Sequence, residues 1–349
     1  MDRSSSCLVT EPDKSECFNL NPVSDVFEEN AVKHLSLFLT VLCISVPVVS
    51  AEPLKKAKQG VEITTDKHGA TIRVNGQLFT RYLIDAGPKP YCWPVLSADG
   101  TEVTRAFPMK KYIESEKQDH PHQRSWWFTH GDVNGIDFWA ETEESGLIVH
   151  RAFLTARSGS RVGELTTRND WMSRAGVKVC EDIRTIRVHN IDESRLVDFD
   201  ITVAATEGPV TFGDTKEGMM GFRVATSMDV NSEMGGRIVN SRGQTDLDAW
   251  GQSAEWVDYT GPVNSRSLGV AVFNHPSSFR FPTYWHVRTY GLFAANPFGL
   301  HHFKNNDALD GGHTIAKGSA ITFRYRIYIH KGDTAEAGVA KFYQEYASE

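Results

Sequence analysis

The sequence contains no Gly-x-Ser-x-Gly elbow, no glycine-rich phosphate loop ahead of a helix and no Cys-x-x-Cys pair. Serine-hydrolase, nucleotide-binding and thioredoxin-like chemistry are disfavoured accordingly. There is no polybasic block either: 37 Lys and Arg stand against 44 Asp and Glu, a net charge of −7. Nucleic acid and anionic membrane surfaces both reward clustered cations, so neither is an expected partner. Cysteine is scarce, five in 349 residues, and only Cys92 and Cys180 fall beyond residue 51. An oxidising compartment would permit a bridge between them. Two cysteines this far apart serve equally well as small buried apolar residues. Long apolar runs are also missing, with one exception near the N-terminus.

That exception is LSLFLTVLCISVPVV at 35–49, which carries no charge. Lys33 and His34 precede it, and Val49-Ser50-Ala51 follows with small residues where a signal peptidase inspects the chain. A basic flank, an apolar stretch and a small-residue cleavage site make a signal peptide over 32–51, cleaved near Ala51. The run is shorter than the roughly 20 residues of a membrane span, and Pro47 interrupts it. The polar, acidic residues 1–31 precede the basic flank and read as a misplaced start or a disordered extension. The expectation is a periplasmic or secreted protein with one mature domain over 52–349 and no membrane insertion after cleavage.

Within that domain, alternating apolar and polar residues and turn signals dominate from 60 to 330. Val61-Glu62-Ile63-Thr64 pairs with Thr71-Ile72-Arg73-Val74, and Asn75-Gly76 turns the chain into 78–82. Further strands are predicted at 146–156, 162–170, 177–190, 195–205, 220–228, 255–259, 268–273, 285–293 and 320–330. One segment reads as helix: Asp333 is a natural N-cap, and Val339, Phe342 and Tyr346 recur at helical spacing. No internal repeat or low-complexity tract is present. The predicted class is all-β: a large antiparallel β-sandwich with a short C-terminal helix.

Reactive residues concentrate in DHPHQRSWWFTHGDVNGIDFWAE, 119–141. Pro121 disfavours the α conformation at His120, which predicts an extended segment. His120, His122 and Arg124 would then share a face. His130 and Asp132 repeat the spacing before the turn at 133–136, and Asp137, Trp139 and Glu141 share a face beyond it. If the two arms pair, imidazoles, carboxylates and indoles converge in one hairpin. Three chemistries fit. His120, His122, His130 and Asp132 can hold zinc or another divalent metal. A His beside a carboxylate is a general acid or base near working pH. Trp126, Trp127 and Trp139 can stack against a sugar ring, with Arg124 holding a polar or charged group. The bland alternative has the histidines on backbone groups and the tryptophans in the core.

Two other places can contribute. Asp214-Thr215-Lys216-Glu217-Gly218 puts a carboxylate at a strand entry. Tyr284-Trp285-His286, with His301-His302, is an aromatic and imidazole-rich stretch of the kind that rims pockets. His286 and Glu217 are candidate catalytic residues beside His120 and His122, and His301 is a candidate for substrate binding.

The stretches YCWPVLSADGTEVTRAFPM, DHPHQRSWWFTHGDVNGIDFW, DTKEGMMGFRVA and GVAVFNHPSSFRFPTYWHVRTYGLFAANPFG resemble the PmoA-like family of exported bacterial proteins, a domain of unknown function. The resemblance covers about residues 60–348. It implies a sandwich of the galactose mutarotase-like kind, in which imidazoles and a carboxylate do acid–base work on a sugar. Members are often labelled methane oxygenase PmoA. That enzyme subunit has several membrane spans, and the mature chain here has none, so the label does not carry over. The leading expectation is an exported carbohydrate-active enzyme, acting by hydrolysis, elimination or epimerisation. The alternatives are a non-catalytic glycan-binding module and a His-ligated metalloprotein.

Overall fold

The computed structural model describes residues 59–111 and 113–349. The predicted extension 1–31 and the signal peptide 32–51 lie outside them. The strands are β1 (Val61–Asp66), β2 (Gly69–Val74), β3 (Gln77–Leu83), β4 (Tyr91–Val95), β5 (Trp126–His130) and β6 (Leu147–Arg157). Then come β7 (Val162–Met172), β8 (Lys178–His189), β9 (Arg195–Ala204), β10 (Val210–Phe212), β11 (Gly218–Arg223) and β12 (Arg237–Asn240). The last six are β13 (Trp256–Val263), β14 (Arg266–Asn274), β15 (Tyr284–Val287), β16 (Leu292–Asn296), β17 (His313–Ile315) and β18 (Ala320–Lys331). The helices are α1 (Leu300–Lys304) and α2 (Val339–Ala347).

Two eight-stranded antiparallel sheets dominate, in the orders β1-β2-β3-β4-β5-β11-β16-β15 and β12-β13-β14-β18-β9-β8-β7-β6. The described residues fall in one compact unit. The predicted first hairpin has the register read from the sequence, Val61 opposite Val74 and Thr64 opposite Thr71. The predicted strands at 146–156, 162–170, 177–190, 195–205 and 320–330 are present; β7 and β8 bury alternate residues over most of their length, so a one-residue slip would turn their apolar sets outward.

The sheets share one core. Trp126 of β5 stacks on Phe222 and meets Phe199 of the opposite sheet edge-on; Phe128 meets Trp171 and Phe323. A buried ion pair sits in this layer: Arg184 donates to Asp182 of the same strand at 2.8 Å and reaches across to the Phe128 carbonyl of β5 at 3.3 Å. Cys92 and Cys180 are buried free thiols on different sheets, so they serve as the small apolar fillers that were one of the two readings.

Three local expectations need correcting. The predicted strand 285–293 is two strands, because Gly291, at φ 100°, closes a turn in which Arg288 N donates to Leu292 O at 2.7 Å. The predicted strand 220–228 ends at Arg223, and 226–228 is a single 3-10 turn. The C-terminal helix begins at Val339, since Gly338 adopts the left-handed conformation at φ 63°. Asp333 does cap, but it caps the preceding turn, accepting from Ala335 N and Glu336 N.

Candidate functional site

Antiparallel pairing lines up one row of side chains across the first sheet: Tyr91, Trp127, Gly221, Ala294 and His286, each directly opposite the next. Opposed residues project to the same face, and Trp127 and Ala294 lie on the side away from the inter-sheet core, packed with Tyr91, Trp139 and Leu292. The Trp127 ring lies over Gly221, where a Cβ would sit 2.7 Å from Trp127 Cζ2. Small residues in this row, and the loops around it, leave a cavity of about 390 Å³ lined by His120, His122, Gln123, Asp137, Trp139, Ala140, Lys216, Glu217, His286, Arg288 and Tyr290.

The loop carrying His120 and His122 is pinned by buried guanidinium groups. Arg105 donates to Asp119 Oδ1 at 2.5 Å and to the His120 carbonyl at 2.9 Å; Arg223 donates to the same Asp119 oxygen at 2.7 Å. The second Asp119 oxygen lies 3.1 Å from His120 Nδ1. Asp119 therefore fixes one ring nitrogen of His120, and these cations hold its carboxyl below the usual carboxylate range against the opposing effect of burial. Arg223 also donates to Gln123 Oε1.

Burial decides the charge of two imidazoles in the cavity. His286 is 2 % exposed. Desolvation first, then the charge of Arg288, lowers its pKa to about 3, so it is neutral at neutral pH. Its Nδ1 lies 2.8 Å from the Lys216 carbonyl. A carbonyl only accepts, so Nδ1 carries the proton and Nε2 keeps a lone pair. Nε2 has no hydrogen-bond partner among the described residues and is not sealed from the cavity. His122 is lowered to about 4, by burial first and then by Lys89 and His120. Glu217 forms an ion pair with Lys216 at 3.2 Å, both groups about one-third exposed. Asp137 Oδ1 accepts from Trp139 N at 2.6 Å and Ala140 N at 3.1 Å, which shapes the corner that presents the Trp139 ring.

The four predicted catalytic residues, His120, His122, Glu217 and His286, thus line one cavity, together with Trp139. Their convergence does not come from the predicted hairpin. Residues 119–125 are not extended: His120 has φ 44°, and Gln123 N closes a turn onto His120 O at 3.0 Å. The guanidinium bonds to Asp119 and the His120 carbonyl favour that turn over the extended form that Pro121 alone would suggest. Residues 137–141 form no strand, and β5 pairs with β4 and β11 instead.

Other predicted residues sit elsewhere. Trp126 and Trp127 are fully buried, one in the inter-sheet core and the other beneath the cavity. Arg124 is engaged by Glu141, Nε at 2.9 Å and Nη2 at 2.8 Å, and Glu141 also binds buried Lys89. His301 lies 2.7 Å from Asp214 and outside the cavity wall. The four predicted metal ligands are not gathered. His130 is buried between Phe212 and Phe298 with Nε2 donating to the Gly213 carbonyl, and Asp132 accepts from Gly135 N. Among the described residues, no group of three or more His, Cys, Asp or Glu is placed to hold a metal ion. Gln123, Arg288 and Tyr290 were not predicted, and Asp137 and Lys216 were noted without a role.

Residues 69–344 match a family of unknown function, DUF6807. No curated protein matches the sequence. Among solved structures, the chain is similar to a galactose mutarotase-like protein from Lactobacillus casei ATCC 334, with TM-score 0.35 and 8% identity over 78% of this chain and 100% of that one. It is similar to the alpha-galactosidase from Lactobacillus brevis, with TM-score 0.34 and 10% identity over 82% of this chain and 42% of that one. It is also similar to a glycoside hydrolase family 97 enzyme from Pseudoalteromonas sp. strain K8, with TM-score 0.31 and 15% identity over 79% and 34% of the two chains.

Proposed function

We propose that this chain, which belongs to the DUF6807 family of unknown function, is an exported enzyme that moves protons on a sugar or oligosaccharide bound in the cavity of His120, Glu217 and His286. The observation that carries this reading is the convergence of an Asp119-oriented imidazole, a carboxylate and a neutral imidazole on one cavity with aromatic walls.

His120 is the proton shuttle. Asp119 fixes its Nδ1, which leaves Nε2 for substrate, the arrangement of an oriented general acid or base. Glu217 is the partner carboxylate. His286 stays neutral and accepts a hydrogen bond at Nε2 from a substrate hydroxyl, which orients the ring without taking its proton. Trp139 and Tyr290 line the cavity and supply apolar contact for a sugar ring. Removal of a proton at one atom and its return at another serves epimerisation and elimination alike, and serves hydrolysis where a second carboxylate activates water. Export is supported by the uncharged run at 35–49 and its flanks, and by the motif resemblance to the PmoA-like exported proteins. No helix among the described residues is long and apolar enough to cross a membrane.

The test is turnover of a saccharide panel, followed by proton NMR for epimerisation and by mass spectrometry for cleavage or elimination. Glu217→Gln and His120→Asn should each lower kcat by about 10²- to 10⁴-fold with the fold intact. Full turnover in both variants would overturn the assignment. A binding-only module is the second reading, favoured by the neutrality of His122 and His286, which suits hydroxyl recognition without proton transfer. In that case Tyr290→Ala abolishes saccharide binding while Glu217→Gln leaves it unchanged, and no substrate turns over.

A further inference from the structure

Arg288 lies on the turn between β15 and β16 and lines two cavities at once. The first is the site above. The second, about 340 Å³, is walled by Asn231, Leu247, Trp250 and Thr289 and shares Arg288 and Tyr290 with the first. The Arg288 guanidinium carbon stands 5.4 Å from the Trp250 ring centroid and 5.8 Å from that of Tyr290.

The other cations around the site all have counter-anions. Lys216 pairs with Glu217, Arg105 and Arg223 with Asp119, and Lys89 and Arg124 with Glu141. Asp137 is occupied by backbone N–H groups. Among the described residues, the Arg288 guanidinium has neither an ion-pair partner nor a hydrogen-bond acceptor. Aromatic neighbours do not consume the in-plane N–H donors, which remain a fork shaped for a planar or tetrahedral oxyanion. A ligand oxyanion there would receive charge-assisted hydrogen bonds that no described protein group takes up.

We propose that the substrate is an anionic saccharide whose carboxylate or sulfate docks on Arg288, with the adjoining sugar residue in the second cavity against Trp250. The inference rests on the carbohydrate reading and narrows it. Leu247, 75% exposed at the wall of the second cavity, adds apolar surface for the face of that second ring.

The experiment is calorimetric titration of the full chain with matched oligosaccharides: neutral, uronate-containing and sulfated. One charge-assisted contact should make one anionic set bind roughly 10- to 100-fold tighter than its neutral counterpart, and which set does so distinguishes carboxylate from sulfate. Added NaCl should weaken that binding and leave neutral binding alone. R288Q should erase the preference, and R288K, which keeps the charge and loses the fork, should retain part of it. W250A should weaken disaccharides and longer chains more than monosaccharides. If R288Q does not fold, the wild-type salt dependence and R288K decide the matter. Neutral and anionic sets binding equally, or an anion preference that survives R288Q, would overturn the inference while leaving the carbohydrate reading in place. Binding of no saccharide of any class would overturn the carbohydrate reading itself.

Discussion

His120 lies flat against Tyr290, with ring centroids 5.2 Å apart and planes within 6°. The Arg223 guanidinium carbon is 4.8 Å from the same tyrosine ring, and Arg223 and His120 both reach Asp119. The exposed imidazole is therefore positioned from two sides, by a carboxylate at one nitrogen and an aromatic face beneath the ring. Both supports depend on cations buried behind the loop.

Asp119→Asn should therefore act on stability and on the site together. Arg105 and Arg223 are 0% and 1% exposed and share Asp119 Oδ1. Removing the anion leaves two buried charges poorly compensated, a change that costs about 3 kcal/mol, the low end for a broken buried pair because Asp119 itself is partly exposed. A fall in Tm of about 5 °C is expected for a domain of this size. Calorimetry checks it, and an unchanged Tm would mean that the cluster does not hold the loop.

Aromatic substitutions should separate the floor of the site from its walls. Trp126 packs on Phe222 and Phe199 in the core, so Trp126→Ala is expected to destabilise by about 3–5 kcal/mol. Tyr290 is a wall of both cavities. Tyr290→Leu should cost far less stability, about 0.5–1.5 kcal/mol for the lost ring pairs, yet weaken saccharide binding. Denaturant melts beside binding isotherms make the comparison; the opposite ranking would place Tyr290 in the core and Trp126 in the site.

The sandwich was legible because long alternating strands state which face is buried, and because turn residues such as Asn75-Gly76 mark the register directly. Trp139, His120, His122, Glu217 and His286 were legible as chemistry, since their side chains are reactive or flat wherever they fall. The contacts that join them were not. Alternation carries a single strand through 285–293 and so hides the turn that presents Arg288 and Tyr290. Pro121 alone favours an extended chain, whereas Arg105 and Arg223, distant in sequence, hold the segment as a turn. Nor could alternation reveal that the outer face of β5 is covered by Trp139 and Tyr91, which buries Trp127 as deeply as Trp126. Short-range spacing reports which side chains share a face; it does not report what a distant loop lays over that face.

The same separation bears on metal. His130 is spent on the Gly213 carbonyl and ringed by phenylalanines, and Asp132 serves its own turn. His120 and His122, with ring centroids 5.7 Å apart, gain no third ligand from them. Chelator treatment of the purified protein should leave Tm unchanged, and mass spectrometry should find no stoichiometric metal. A stoichiometric ion, with a drop in Tm on chelation, would return the histidines to the role of ligands.

Acid should weaken the fold before the carboxylates titrate. Burial lowers His286 to about 3 and His122 and His130 to about 4. His150, His275, His302 and His313 move in the same direction for the same reason. In the unfolded chain each imidazole takes a proton as pH falls below about 6.5. In the folded chain His286, His122 and His130 stay neutral down to about 4 or 3. Between those limits the unfolded state binds more protons, so stability rises with pH. The stabilisation is complete above about pH 6.5 and is lost as pH falls toward the folded values. Each of these three imidazoles contributes about 1.4 kcal/mol per pH unit in that window. Tm should therefore drop between pH 6.5 and 5, where ordinary carboxylates remain ionised, and His286→Asn should make the slope shallower. A Tm that is flat across that interval would mean that His286, His122 and His130 are protonated in the fold. The lone pair assigned to His286 Nε2 would then be lost as pH falls through about 6.5.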